Sequence, residues 1–311
     1  MADASSRAVN DTISLRLIIS CGILNGIMFL MYCARMFSRL YPHRKLAWDD
    51  YTVSIAAVFS LVAYGLQVVA CTHGMGRHYY YVSVEDRSIA LLCMFVNSYF
   101  WFCGIACMRI SVGLLLLRLK DSWSRSWAWT IWTIIVIQVI STVASVILQL
   151  LVCRPIRLQW EVVPDGVCWS PLALQVWGYL YSAPSILSEF VFSLMPLSFI
   201  WRLNRPLLER VVVGILMTLG LFTTSIAIVK TSYMALYSHS EDALRHFLTI
   251  SMWCELELVV GIIAGCIPCL KSPFQRILRR WQLLPSKSHL DNDQVFKHYH
   301  STVVGKYQGG E

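Results

Sequence analysis

Seven apolar runs order the chain, at about residues 15–36, 51–71, 88–117, 127–152, 174–200, 210–236 and 246–270. Most are long enough to cross the hydrocarbon of a bilayer as a helix, and short polar segments separate them. Within these runs sit Arg109, Glu189, Lys230, Glu255 and Glu257. A charge at bilayer depth costs at least about 2.5–3.5 kcal/mol, so it normally faces a bundle interior, a partner or water. The pattern predicts an all-α bundle of seven transmembrane helices over residues 15–270, with a polar centre. An outer tail (1–14) precedes it, and an amphipathic interfacial helix (271–285) and a disordered cytosolic tail (286–311) follow. The interfacial helix is expected to start at Ser272-Pro273, with Phe274, Ile277, Leu278 and Trp281 opposite Arg276, Arg279 and Arg280.

Composition agrees. The 311 residues are 57% hydrophobic and 14% charged, and the runs leave no space for a separate soluble catalytic domain. The net charge of +8 is explained by placement rather than by nucleic-acid binding. With the N-terminus outside or lumenal, the inner loops hold ten Lys/Arg: Arg35, Arg39, Arg44, Lys45, Arg118, Lys120, Arg125, Arg202, Arg205 and Arg210. The start of the tail adds Lys271, Arg276, Arg279 and Arg280, against seven in all the outer segments. The positive-inside bias thus puts the C-terminus in the cytosol. A polar start and a long first run argue for an uncleaved anchor rather than a signal peptide. The Asn10-Asp11-Thr12 sequon falls outside, making Asn10 a glycosylation candidate. The expected location is an endomembrane, the endoplasmic reticulum, or the plasma membrane.

Three of the eleven cysteines, Cys71, Cys153 and Cys168, fall together on the oxidising outer face, and two of them are expected to pair. Cys266-Ile-Pro-Cys269 has CxxC spacing, but without a second pair it does not make a metal site, and palmitoylation of Cys269 suits its position as well. Asp49-Asp50 opens the second helix, where carboxylates interact well with the helix dipole. A metal–diphosphate site would need a further acidic cluster, and the sequence has none. The outer loop Cys71-Thr-His-Gly-Met-Gly-Arg-His-Tyr-Tyr-Tyr81 is either a tight turn with interfacial aromatics or a ligand site at the mouth through Arg77 and His78. The connection from Cys153 to Trp169 is long enough to fold over the mouth as a lid.

A set of residues resembles the fungal rhodopsin-like seven-helix family, including the integral membrane proteins named after the satratoxin gene cluster. More distantly it is similar to the surface-sensing receptors of plant-pathogenic fungi. The set comprises Arg35 and Arg39 before Asp49-Asp50-Tyr51, Gly74-Met-Gly-Arg-His78, Ser111, and Leu114-Leu-Leu-Leu-Arg-Leu119. It continues with Cys153-Arg-Pro155, Trp160, Gly166, Cys168, Pro196, Ser225, Trp253, Glu257, Cys266 and Pro268. The resemblance covers about residues 15–285. Arg109 stands where the family suggests Lys, Glu189 where it suggests Asp, and Lys230 where it suggests Arg; each keeps the charge sign. The cysteine-rich extracellular domain of the longer receptors is missing from this sequence. The resemblance implies a place in secondary-metabolite, mycotoxin-type biosynthesis.

Retinal is not expected, because the last helix has no lysine between Phe247 and Leu270. Nor does Leu117-Arg118-Leu119-Lys120 match the acid–Arg–aromatic triplet of animal G-protein-coupled receptors. The intramembrane charges read in two ways. Structurally, Arg109 would pair with Glu189, and Lys230 with Glu255 or Glu257. Chemically, Glu257, Glu189 and Arg109 would form a catalytic acid/base site able to protonate an alkene, epoxide or carbonyl of a lipophilic substrate. Arg77, His78, Trp253 and Lys230 are the ligand-binding candidates, and Trp101, Phe102, Trp177, Tyr179, Tyr181 and Tyr233 are candidate lining residues. No metal or organic cofactor is implied. The expected partners are membrane lipid and a lipophilic small molecule, not nucleic acid. A cytosolic signalling partner follows only from the competing receptor reading, and a transporter ranks third, since no internal repeat is visible.

Overall fold

The computed structural model describes residues 14–41, 46–77, 82–118, 125–202, 207–237 and 243–280. Asn10 and His78 lie outside them, as does the tail beyond residue 280. The described residues form seven α-helices: α1 (Ser14–Leu40), α2 (Trp48–Thr72), α3 (Val84–Arg118), α4 (Arg125–Leu151), α5 (Pro171–Arg202), α6 (Leu207–Tyr237) and α7 (Ala243–Arg280). Among them, α1 to α4, Arg210–Met234 of α6 and Leu244–Leu270 of α7 are six segments long and apolar enough to cross a membrane.

Local chemistry sets several helix starts. Ser83 Oγ accepts the Asp86 N–H at 3.1 Å while donating to Asp86 Oδ2 at 2.7 Å, a reciprocal cap on α3. Pro171 occupies the first turn of α5, and Ser170 Oγ accepts from Ala173 N. Helical residues in α7 run on past Ser272-Pro273, where the sequence predicts a new start. A proline removes one N–H from a long apolar helix without preventing turns on either side. The described residues up to Pro268 belong to one compact unit, and those from Cys269 to Arg280 belong to another.

Within the first unit the polarity is inverted relative to a water-soluble protein. Leu15, Ile19, Ile23, Ile27 and Leu30 make an exposed stripe along α1, and Trp129, Trp132, Val136, Ile140, Val143 and Ile147 make one along α4. Their spacing of three or four residues is that of one helix face. The opposite faces bury Asn25, Arg35, Gln138, Thr142 and Ser145. Three apolar clusters fill the interior. One, with Met28, Ala56, Trp101, Ile105 and Leu258, joins α1, α2, α3 and α7. A second, with Ala70, Met75, Met94 and Leu248, lies at the α2–α3 connection. The third, with Leu116, Ile131, Ile135 and Met195, joins α3, α4 and α5.

The α2–α3 turn is set by Gly74 and Gly76, with φ of +88° and +89°. That left-handed backbone suits glycine, and it drives Met75 into the second cluster. The α4–α5 connection carries a short antiparallel pair, β1 (Cys153–Arg154) and β2 (Val167–Cys168), with Cys153 opposite Cys168. These two cysteines are disulfide-bonded and Cys71 is a free thiol. Trp160 from this connection packs on Phe95 of α3 at 5.1 Å between ring centroids.

At the end carrying the α1–α2 connection, fully buried Arg35 ties three helices together. Its Nη2 donates to Asp49 Oδ2 at 2.7 Å and Asp50 Oδ1 at 2.8 Å, its Nε to Asp50 Oδ1 at 3.0 Å, and its Nη1 to the Gly265 carbonyl at 2.6 Å. Asp50 Oδ2 also accepts the Ala47 N–H at the start of α2, so the helix-terminus role is real but secondary to the ion pair. Ser111 Oγ of α3 donates to the Asp49 carbonyl. Removing one partner of a buried, hydrogen-bonded pair costs about 3–5 kcal/mol. Arg35→Ala should therefore abolish folded protein or lower its thermal midpoint in detergent sharply. Arg35→Lys should rescue only in part, because an ammonium cannot reproduce the planar fork. Equal midpoints for Arg35→Ala and wild type would refute this account.

Candidate functional site

Deep in the same unit, four helices deliver four charged side chains to one point. Arg109 comes from α3, Glu189 from α5, Lys230 from α6 and Glu257 from α7, and all are buried. Arg109 Nη2 donates to Glu189 Oε1 at 2.7 Å, to Glu257 Oε1 at 3.0 Å and to Ser185 Oγ at 2.7 Å. Its Nη1 donates to Gln138 Oε1 of α4 at 2.6 Å. Lys230 Nζ pairs with Glu257 Oε2 and lies 4.5 Å from the Trp101 ring centroid. Five helices thus meet through hydrogen bonds to two cations.

Two guanidinium or ammonium charges face two carboxylates, so the cluster is electrically balanced. Balance is what a low-dielectric interior requires, since an unpaired ion there carries its full desolvation cost. Arginine suits the centre because its fork serves several acceptors while staying charged. In and around the cluster, Arg109 Nε, Glu189 Oε2, Tyr181 Oη and Trp253 Nε1 are buried without a hydrogen-bond partner among the described residues. Aromatic rings bound the cluster. Trp101, Phe102 and Tyr181 pack against one another with centroids 4.9–6.1 Å apart, and Trp253 stacks on Tyr233 at 6.4 Å.

Several expectations change here. Arg109 meets Glu257 as well as Glu189, and Lys230 takes Glu257, not Glu255. Glu255 faces Asn25 and Ser60 of α1 and α2 instead, because two residues along a helix turn the side chain to a different face. Arg77 sits in its own turn, its N–H donating to the Gly74 carbonyl, and among the described residues no hydrogen bond or ion pair joins it to the cluster. Gln138 and Ser185, which complete the Arg109 shell, are not singled out by sequence reading. Their signal is weak: a neutral amide or hydroxyl in an apolar run stands out far less than a charge.

The balance has a measurable consequence. Lys230→Met leaves two carboxylates to share Arg109 and should cost about 3–5 kcal/mol, as should Glu257→Gln, which leaves Lys230 without its carboxylate. The double variant removes one charge of each sign, so its loss should fall short of the sum of the singles by at least about 1 kcal/mol. Unfolding in mixed micelles reads this directly; strict additivity would show that the two side chains do not depend on each other.

Comparison with known proteins places this geometry in context. The fungal rhodopsin domain matches residues 34–276. The chain is 22% identical over 269 residues to the polyenoic acids biosynthesis gene cluster protein Ba17b of Metarhizium anisopliae, covering 81% of this chain and 71% of that protein. It is 22% identical over 259 residues to a SAT4 family membrane protein of Emericella nidulans, covering 80% of this chain and 64% of that one. No solved structure matches the fold. An apolar helical exterior around balanced interior charges, together with a domain match over most of the chain, identifies an integral multi-pass membrane protein that belongs to the fungal rhodopsin domain family.

Proposed function

We propose that this protein takes part in secondary metabolism by binding a lipophilic intermediate beside the Arg109–Glu189–Glu257–Lys230 cluster and transforming it by acid/base chemistry. The observation that carries the reading is the unused capacity of that cluster. Among the described residues Glu189 Oε2 has no donor and Trp253 Nε1 no acceptor, although both are buried. Buried polar atoms are normally satisfied, and a bound oxygenated molecule would supply the missing partners. The neighbouring aromatic rings suit an apolar skeleton. Support from relatives is a single name: one similar protein is described as belonging to a polyenoic acids biosynthesis gene cluster.

In the membrane arrangement that goes with this reading, all seven helices span, including α5 (Pro171–Arg202). The N-terminus lies outside or in the lumen and the C-terminus in the cytosol, in the endoplasmic reticulum or plasma membrane. Ten Lys/Arg in the inner loops against seven in the outer segments support this orientation. The Cys153–Cys168 disulfide then falls on the oxidising side.

Deleting the gene and profiling metabolites tests the reading. A lipophilic intermediate should accumulate, and membranes containing the wild-type protein should convert it. Glu189→Gln and Glu257→Gln should lower conversion by about 10²-fold or more, the usual scale for a lost acid/base group. Trp253→Phe keeps the ring but removes the donor, so it should weaken binding of the accumulated compound while leaving thermal stability near wild type. An unchanged metabolite profile, with an altered response to an external cue, would sink the metabolic reading in favour of a receptor.

A further inference from the structure

Glu255 forms a further buried polar site, separate from the Arg35 and four-charge clusters and independent of the function proposed for the latter. It is 4% exposed, and its partners Asn25 (3%) and Ser60 (0%) come from α1 and α2. Asn25 Nδ2 donates to the Cys21 carbonyl and to Glu255 Oε1, both at 3.1 Å. Ser60 Oγ lies 3.1 Å from Asn25 Oδ1 and 2.9 Å from Glu255 Oε1. Among the described residues no lysine, arginine or histidine pairs with Glu255. The titratable groups facing it are the thiols of Cys21 in α1 and Cys254 in α7 and the phenol of Tyr64 in α2, none of them a cation in any protonation state.

The hydrogens in this triad can be counted. The Cys21 carbonyl fixes the amide of Asn25, because the reverse orientation would set two acceptors against each other at 3.1 Å. Both amide hydrogens are then committed, and Oδ1 can only accept. Ser60 has one hydroxyl hydrogen but two oxygen contacts. If it donates to Asn25 Oδ1, the 2.9 Å contact with Glu255 Oε1 needs a hydrogen of its own. Sharing the one Ser60 hydrogen between both oxygens would weaken both contacts, and among the described residues at this triad Glu255 is the group able to carry a second. If Ser60 donates to Glu255 instead, two acceptor oxygens, Ser60 Oγ and Asn25 Oδ1, are left facing each other. A single proton on Oε1, donated to Ser60 Oγ, satisfies every contact and removes an unpaired buried charge in the same step.

We infer that Glu255 is a proton-binding site in the seam between α1, α2 and α7, occupied in the folded state at neutral pH. The acid donates to Ser60 and accepts from Asn25, so the proton joins three helices where an ionised carboxylate would leave the triad one hydrogen short.

Infrared spectroscopy of the full chain in lipid nanodiscs at pH 7 tests this. The wild type should show a protonated-carboxyl C=O band that shifts in heavy water and is missing from Glu255→Gln. Ser60→Ala, which removes the acceptor, should move the same band without abolishing it. Glu255→Gln should still fold, because glutamine is neutral, with a modestly lower thermal midpoint, since no single amide atom both accepts from Asn25 and donates to Ser60. A spectrum in which Glu255→Gln loses no carboxyl band would overturn the inference. So would a Glu255→Gln protein that does not fold, since a required charge is then the simpler account. A wild-type midpoint raised by sodium chloride but not choline chloride, with loss of the band, would make the triad an alkali-cation site and equally refute a resident proton.

Discussion

A buried ion in an apolar surround must be neutralised at contact distance, and the described helices are arranged around that requirement. Arg109 carries most of it. One guanidinium reaches α4, α5 and α7 at once, and the second carboxylate oxygen of Glu257 passes the network on to Lys230 of α6. Lipid offers no hydrophobic drive between apolar helices, so packing and polar contacts decide which faces meet. A charge network of this kind therefore specifies rotation and depth for several helices together.

Arg35 does for the α1–α2 end what Arg109 does for the interior. Both use arginine, both give one cation two carboxylates, and both add a neutral acceptor, Gly265 carbonyl in one case and Gln138 in the other. The two sites differ in what is left over. Around Arg35 the acidic oxygens are used, with Asp50 also capping α2. Around Arg109, among the described residues, its own Nε, one Glu189 oxygen, the Tyr181 hydroxyl and the Trp253 indole N–H remain unsatisfied. The ligand role proposed for the Arg109 cluster rests on that unused hydrogen bonding.

Glu255 and Glu257 show how little sequence distance says about environment. They are two residues apart, yet one meets two cations and the other an amide and a hydroxyl.

Hydropathy by itself determined the helical, membrane-spanning class, since a long apolar run can satisfy its backbone only as a helix in lipid. The sequence also marked Arg109, Glu189, Lys230 and Glu257 as interior, because a charge in such a run has nowhere else to go. Helical periodicity left each partner open to several alternatives of equal charge. Only the packed structure decided that Glu257 serves both cations while Glu255 turns to Asn25 and Ser60. It also made Asp49 and Asp50 the counter-ions of Arg35. Pairing depends on the rotation and depth of neighbouring helices, and these are fixed by contacts between residues far apart in the chain.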